Sequence, residues 1–238
     1  MKVPAGLTLK EAAGVFITFP TSYAGLVLRA DLKAGETCLV HAGAGGVGIV
    51  AVQIAKALGA TVIATAGSAE KTEVARRYGA DHTINYREDE DWVSTVKELT
   101  NGRGADVIYD PVGLAKQSTR CVACRSAVLC SAVLSAITCR HVTLTPPPCW
   151  SSCIAWNGRY LVVGFAAGSI PKVALNRVLL KNISLVGLHW GAYVGNEPEA
   201  IPAVWKGIND MIASGKVCGG CLMPTAAVWM LHRMRWLL

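Results

Sequence analysis

The turn His41-Ala42-Gly43-Ala44-Gly45-Gly46-Val47-Gly48 constrains the fold more than any other segment of the chain. Ahead of it, Thr37–His41 reads as a short buried strand. Behind it, Val47, Val50, Ala51, Ile54, Ala55 and Leu58 recur at helical spacing, and Gly59 closes the helix. Gly43, Gly45 and Gly48 fit G-x-G-x-x-G, a weak pattern alone but a specific one between a strand and a helix. A side chain at Gly45 would keep a pyrophosphate from the backbone, and Gly48 lets the helix pack closely on the strand. The helix start offers unpaired N–H groups and a positive dipole end to phosphate. A tight turn without a ligand is the plainer alternative.

The pattern around this turn repeats. Thr61–Thr65, His82–Ile84 and Asp106–Asp110 read as further strands, separated by helices over Ala69–Tyr78 and Asp91–Thr100. Arg159–Phe165 and Ile183–Leu188 supply a fifth and a sixth strand, and Glu199–Ser214 a last helix. Near-continuous apolar strands joined through helices predict an α/β fold, a doubly wound parallel Rossmann-like sheet of about six strands. The expected organisation is a helical lead-in over 1–35, a dinucleotide-binding domain over 36–217 and an atypical tail over 218–238. Residues 114–153 interrupt that domain, with six cysteines, no acid and the Pro146-Pro147-Pro148 run. This insert and the apolar stretch 221–238 lack agreement between pattern and caps, so poor packing is expected for both.

Composition narrows the class. The chain has 238 residues, is 52% hydrophobic and only 16% charged, which excludes disorder and coiled coils. The net charge of +7 is uneven, because no acid occurs between Asp110 and Glu197. Twelve basic residues after Asp110 raise nucleic-acid binding as a possibility, but they are dispersed and no RNA motif accompanies them. Nine cysteines, an odd number, favour reduced thiols. The pairs Cys121/Cys124 and Cys218/Cys221 lie too far apart in sequence for an ordinary structural zinc site, so no metal is expected. The opening MKVPAGLTLKEAAG has neither the secretory nor the transit pattern, and Val122–Ile137 is too short and carries Arg125. A cytoplasmic protein without a membrane span is the expectation.

The end of the second strand bears on cofactor choice. NAD enzymes place an acid there for the ribose 2′-hydroxyl. This chain has Ala66-Gly67-Ser68-Ala69-Glu70-Lys71, where uncharged Gly67 and Ser68 remove repulsion and Lys71 attracts a 2′-phosphate. NADPH is favoured over NADH. Arg76 and Arg77 read as a solvated helix face.

The segments GETCLVHAGAGGVGIVAVQIAKALGA, TAGSAEK, INYRE, DVIYDPVG, GRYLVVGFA and LNRVLLKNISLVG follow one another in an order that resembles the zinc-independent, zeta-crystallin-like quinone oxidoreductases of the medium-chain dehydrogenase/reductase superfamily. The resemblance covers about 3–113 and 154–217. It implies Thr21 near the nicotinamide ribose and Gly45, Gly46 and Val47 at the pyrophosphate. It also implies Ser68, Lys71 and Tyr86 around the adenosine 2′-phosphate, Val112 and Gly113 after the fourth strand, and Gly164, Phe165 and Ala166 close to the nicotinamide. For Tyr86 a partly buried sheet-edge aromatic is an equal alternative, and Phe165 could equally be core.

The family transfers reducing equivalents from NADPH to a quinone or activated alkene, commonly as a homodimer through the edge strand, here Ile183–Leu188. Members begin with a β-rich domain of which this chain shows little, so impaired turnover, or coenzyme binding alone, is an expectation too. RNA binding by a zeta-crystallin-like protein is a lesser one. No catalytic residue is identified, and no hydrolytic constellation competes. His189 is expected to serve packing or an interface.

Overall fold

The computed structural model describes residues 9–113, 150–168 and 170–218. Six strands, β1 (Thr37–Val40), β2 (Thr61–Ala66), β3 (His82–Asn85), β4 (Ala105–Asp110), β5 (Ile154–Val162) and β6 (Ser184–Gly187), form one sheet in the order β3-β2-β1-β4-β5-β6. Every pairing is parallel. The helices are α1 (Leu9–Tyr23), α2 (Gly46–Ala57), α3 (Ala69–Arg77), α4 (Trp92–Leu99), α5 (Trp150–Cys153), α6 (Leu175–Leu180), α7 (Tyr193–Asn196) and α8 (Ala200–Ala213). This is the doubly wound order, with its switch point between β1 and β4.

The apolar strand runs are explained by burial on both sheet faces. Successive side chains alternate across a sheet. Thus Cys38 and Val40 of β1 enter one core with Val62, Val107, Tyr109 and Leu161. Leu39 enters the other with Ile63, Ile108 and Tyr160. The first core is covered by α1, α2 and α8, the second by α4 and α5. Gly59 (φ 85°) and Gly79 (φ 107°) close α2 and α3 in the left-handed conformation that a helix C-terminus favours.

α1 continues into a π-helical stretch, Ala24–Arg29, directly after Tyr23. Pro20 lies inside α1, where it cannot donate a backbone hydrogen bond. Thr18 and Thr21 donate their hydroxyls back to the carbonyls of Gly14 and Ile17 on the preceding turn. α8 meets α1 closely: a Cβ at Gly207 would lie 2.0 Å from the Tyr23 hydroxyl oxygen.

Two boundaries differ from expectation. β5 begins at Ile154 and ends at Val162, with Gly164–Ala166 already in the loop beyond it. Its register against β4 shifts by three residues between Ala105↔Ile154 and Val107↔Arg159. The extra residues Trp156, Asn157 and Gly158 fit in the strand because Asn157 takes a left-handed backbone (φ 61°), which asparagine tolerates better than most residues. The second concerns 150–153, which the sequence pattern groups with a poorly packed insert. These residues form one helical turn, and Cys153 and Ser151 are buried. The rest of the insert, 114–149, and the segment 221–238 lie outside the described residues.

Candidate functional site

The carboxyl ends of β1, β2, β4 and β5 bring most of the predicted binding residues to one edge of the sheet. After β1 the chain turns sharply: Ala42 adopts a left-handed backbone (φ 51°), and the Gly45 N–H donates to its carbonyl at 2.8 Å. That carbonyl dictates the glycines. A Cβ at Gly48 would stand 2.1 Å from the Ala42 oxygen, and one at Gly45 3.1 Å from it. At Gly43 a Cβ would be 2.7 Å from the Ala64 Cβ on the neighbouring strand.

Gly45 caps α2 without a side-chain hydrogen bond. The Ile49 N–H donates to the Gly45 carbonyl at 2.8 Å. The N–H groups of Gly46, Val47 and Gly48, within the first turn, therefore have no intrahelical acceptor and face the sheet edge at the positive helix end. A glycine cradle with three donors fits a diphosphate.

β2 ends at Ala66, and Gly67 and Ser68 lead into α3. Ser68 is the N-cap, and its Oγ accepts from the Lys71 N–H at 3.4 Å. Tyr86, just past β3, lies over this loop, since a Cβ at Gly67 would be 2.6 Å from its hydroxyl oxygen. Tyr86 also packs against the second core, so it is a partly buried sheet-edge aromatic that stands against Gly67. Lys71 is exposed on α3. Arg76 is held away by Glu73 and Thr83, at 2.9 and 2.8 Å.

β4 ends in Asp110, a buried carboxylate that sequence reasoning missed as a site organiser. Its Oδ1 accepts from the N–H groups of Val112 (2.7 Å) and Gly113 (2.9 Å), and its Oδ2 from the Tyr160 hydroxyl. The D-P-V-G text carried the available signal, because an aspartate that accepts an N–H two residues on is a turn former. The loop after β5 is tied to the same turn. The N–H groups of Ala166 and Ala167 donate to Pro111 and Val112 carbonyls at 3.3 and 2.9 Å. Gly164 approaches so closely that a Cβ would lie 3.2 Å from the Pro111 oxygen. Phe165 is 41% exposed, so it is not a core residue.

Beneath the turn, His41 is buried, with Nδ1 3.0 Å from the Thr65 hydroxyl and its ring edge-on to Trp92. Burial holds its pKa below the ordinary imidazole value, opposed by the charge of Asp110. From the other side comes α1. Thr21, partly exposed, spends its hydroxyl on the Ile17 carbonyl, while the neighbouring Ser22 is fully buried and reaches the site framework. His189 is exposed and lines a separate depression of 290 Å³ with Arg29 and Glu197. Among the described residues no cluster of three or more histidine, cysteine or acidic side chains could hold a metal, and no helix is long and apolar enough to cross a membrane.

Residues 46–144 match the family model described as "Zinc-binding dehydrogenase". Among curated proteins, the chain is 35% identical over 221 residues to a quinone oxidoreductase-like protein 2 homolog from Nematostella vectensis, covering 92% of this chain and 51% of that protein. It is 43% identical over 115 residues to a 2-haloacrylate reductase from Burkholderia sp., covering 48% of this chain and 34% of that enzyme. A crystal structure of Escherichia coli quinone oxidoreductase complexed with NADPH superposes with a TM-score of 0.67 at 30% identity, covering 91% of this chain and 57% of that one. The chain thus spans about half the length of the quinone oxidoreductase-like relative and of the solved structure.

Proposed function

We propose, from its likeness to the quinone oxidoreductase-like medium-chain dehydrogenases/reductases, that the chain binds NADPH along the carboxyl edge of its sheet, in service of hydride transfer to a quinone or an activated alkene. The observation that carries this reading is the steric closure of the glycine turn. Gly43 and Gly48 have no room for a Cβ, and the three first-turn N–H groups of α2 that lack an acceptor within the helix lie beside them. Such a cradle suits the paired phosphates of a dinucleotide.

Chain placement supports the remaining contacts. Ser68 follows β2, Lys71 lies in the first turn of α3 and Tyr86 stands against Gly67, so hydroxyls and an ammonium near the end of β2 would suit an adenosine 2′-phosphate. Val112 and Gly113, fixed by Asp110, and Gly164, Phe165 and Ala166, tied to the same turn, would border the nicotinamide, with Thr21 approaching its ribose from α1. Bound NADPH supplies the hydride; the chain's own residues orient it and keep one face of it dry. β6 is the exposed edge of the sheet, which suits pairing with a second copy through 183–188.

Thermal denaturation tests the binding step. NADPH is expected to raise the midpoint more than NADH at equal concentration, and no shift with either would overturn the reading. Oxidation of NADPH in the presence of a small ortho-quinone then separates turnover from coenzyme binding alone.

A further inference from the structure

Three parts of the proposed coenzyme cleft come from separate elements: α1 carries Thr21, α2 carries the phosphate-facing amides, and β4 leads into the Val112–Gly113 turn. One buried side chain touches all three elements. Ser22, on α1, lies 2.9 Å from the carbonyl oxygen of Val47 in the first turn of α2. Its Oγ is also 3.0 Å from the hydroxyl oxygen of Tyr109 on β4, the residue before Asp110. Both side chains are fully buried.

The direction of this chain of hydrogen bonds is forced. A carbonyl can only accept, and serine has a single hydroxyl proton. Ser22 therefore donates to Val47, and its lone pair receives the proton of Tyr109. Burial keeps that phenol in its neutral, donating form, well above the ordinary tyrosine range. The relay runs from strand to helix to helix, with no water exposure at either hydroxyl.

We propose that Ser22, locked by Tyr109, is a positioning residue that sets the phosphate-binding turn of α2 at a fixed distance from α1 and the end of β4. The inference rests on the coenzyme reading above. It predicts an effect on the phosphate and nicotinamide half of the coenzyme and none on the adenosine end, where Ser68, Lys71 and Tyr86 sit on other loops.

The test uses the full chain with Ser22→Ala, Tyr109→Phe and the double variant, titrated with NADPH and with adenosine 2′-monophosphate. Ser22→Ala leaves the Tyr109 hydroxyl buried without its acceptor, so it lowers the melting midpoint. The double variant removes both polar groups and regains most of that loss, since deleting both partners of a buried hydrogen bond is nearly neutral. NADPH binding should stay weakened in both by about tenfold, while adenosine 2′-monophosphate binds as to the wild type. Faster amide exchange at 46–49 in the coenzyme-free double variant is expected alongside. Wild-type NADPH affinity in the double variant, or a parallel loss for the monophosphate, would overturn the positioning role alone. A wild type that binds neither ligand would overturn the coenzyme reading, and this inference with it.

Discussion

At the amino edge of the sheet, Glu36, Asp81 and Asp106 are each paired with a cation, whereas at the carboxyl edge the buried Asp110 accepts from neutral donors. Arg159 grips Glu36 with two bonds, at 2.8 and 2.7 Å, and also donates to the carbonyls of Ala30 and Asp31. Asp106 and Asp81 close the starts of β1 and β2 by accepting the N–H groups of Thr37 and Val62. One edge is thus sealed by charges that satisfy the backbone. The other has backbone amides of α2 without an acceptor in their own helix and holds its loops through buried hydroxyls and one carboxylate. The difference teaches how one sheet divides its labour: the sealed edge fixes the frame, and in the reading proposed above the open edge keeps donors for a ligand.

That contrast can be broken at either side. The largest effect is expected for Gly48→Ala, whose methyl cannot coexist with the Ala42 carbonyl 2.1 Å away. Overpacking here should cost about 3 kcal/mol, read by denaturant unfolding, and abolish the NADPH-induced thermal shift. At the sealed edge, Arg159→Met strands a mostly buried Glu36 and releases two carbonyls. A loss of about 2 kcal/mol is expected, with NADPH affinity unchanged in the same preparation. A drop in affinity there would show that the two edges are not separable.

Acid should divide the edges more finely. His41 has a folded-state pKa below its unfolded value, so the unfolded chain takes up the proton first. Stability is therefore complete above the ordinary imidazole pKa of about 6.5 and declines as pH falls below it. Glu36 is lowered by the Arg159 hydrogen bonds. Asp81 is lowered too, the Lys56 and Val62 bonds outweighing its desolvation. Their contribution holds above the usual carboxylate range and is lost only as pH falls through their depressed folded values. Unfolding followed from pH 7 to 3 should show an early decline from the open edge and a later one from the sealed edge. His41→Asn, which keeps a polar group near Thr65, should remove the early decline alone. This is the smallest of the three effects.

Much of the frame was legible because the periodicities do not conflict. Leu39 and its neighbours Cys38 and Val40 are apolar without alternation, as suits a strand covered on both sides, and the same reading holds for Val62-Ile63-Ala64 and Val107-Ile108-Tyr109. Gly59 and Gly79 mark helix ends by the one backbone conformation they need there. The start of β5 escaped because Trp156-Asn157-Gly158 breaks the alternation, and only pairing with β4 reveals that the strand resumes on both sides of it.

By itself the sequence determined the six strands and the main crossover helices in their order, the glycine cradle and the lack of an acid at the end of β2. Each of these is a local matter of spacing and residue chemistry. Tertiary structure alone decided that Ser22 meets Tyr109, 87 residues on, that Arg159 meets Glu36 across 123, and that Asp110 joins Tyr160 to the turn beyond β4. A buried polar group must find a partner, but its own segment does not say which one, because the partner is supplied by the crossovers that bring distant strand ends together.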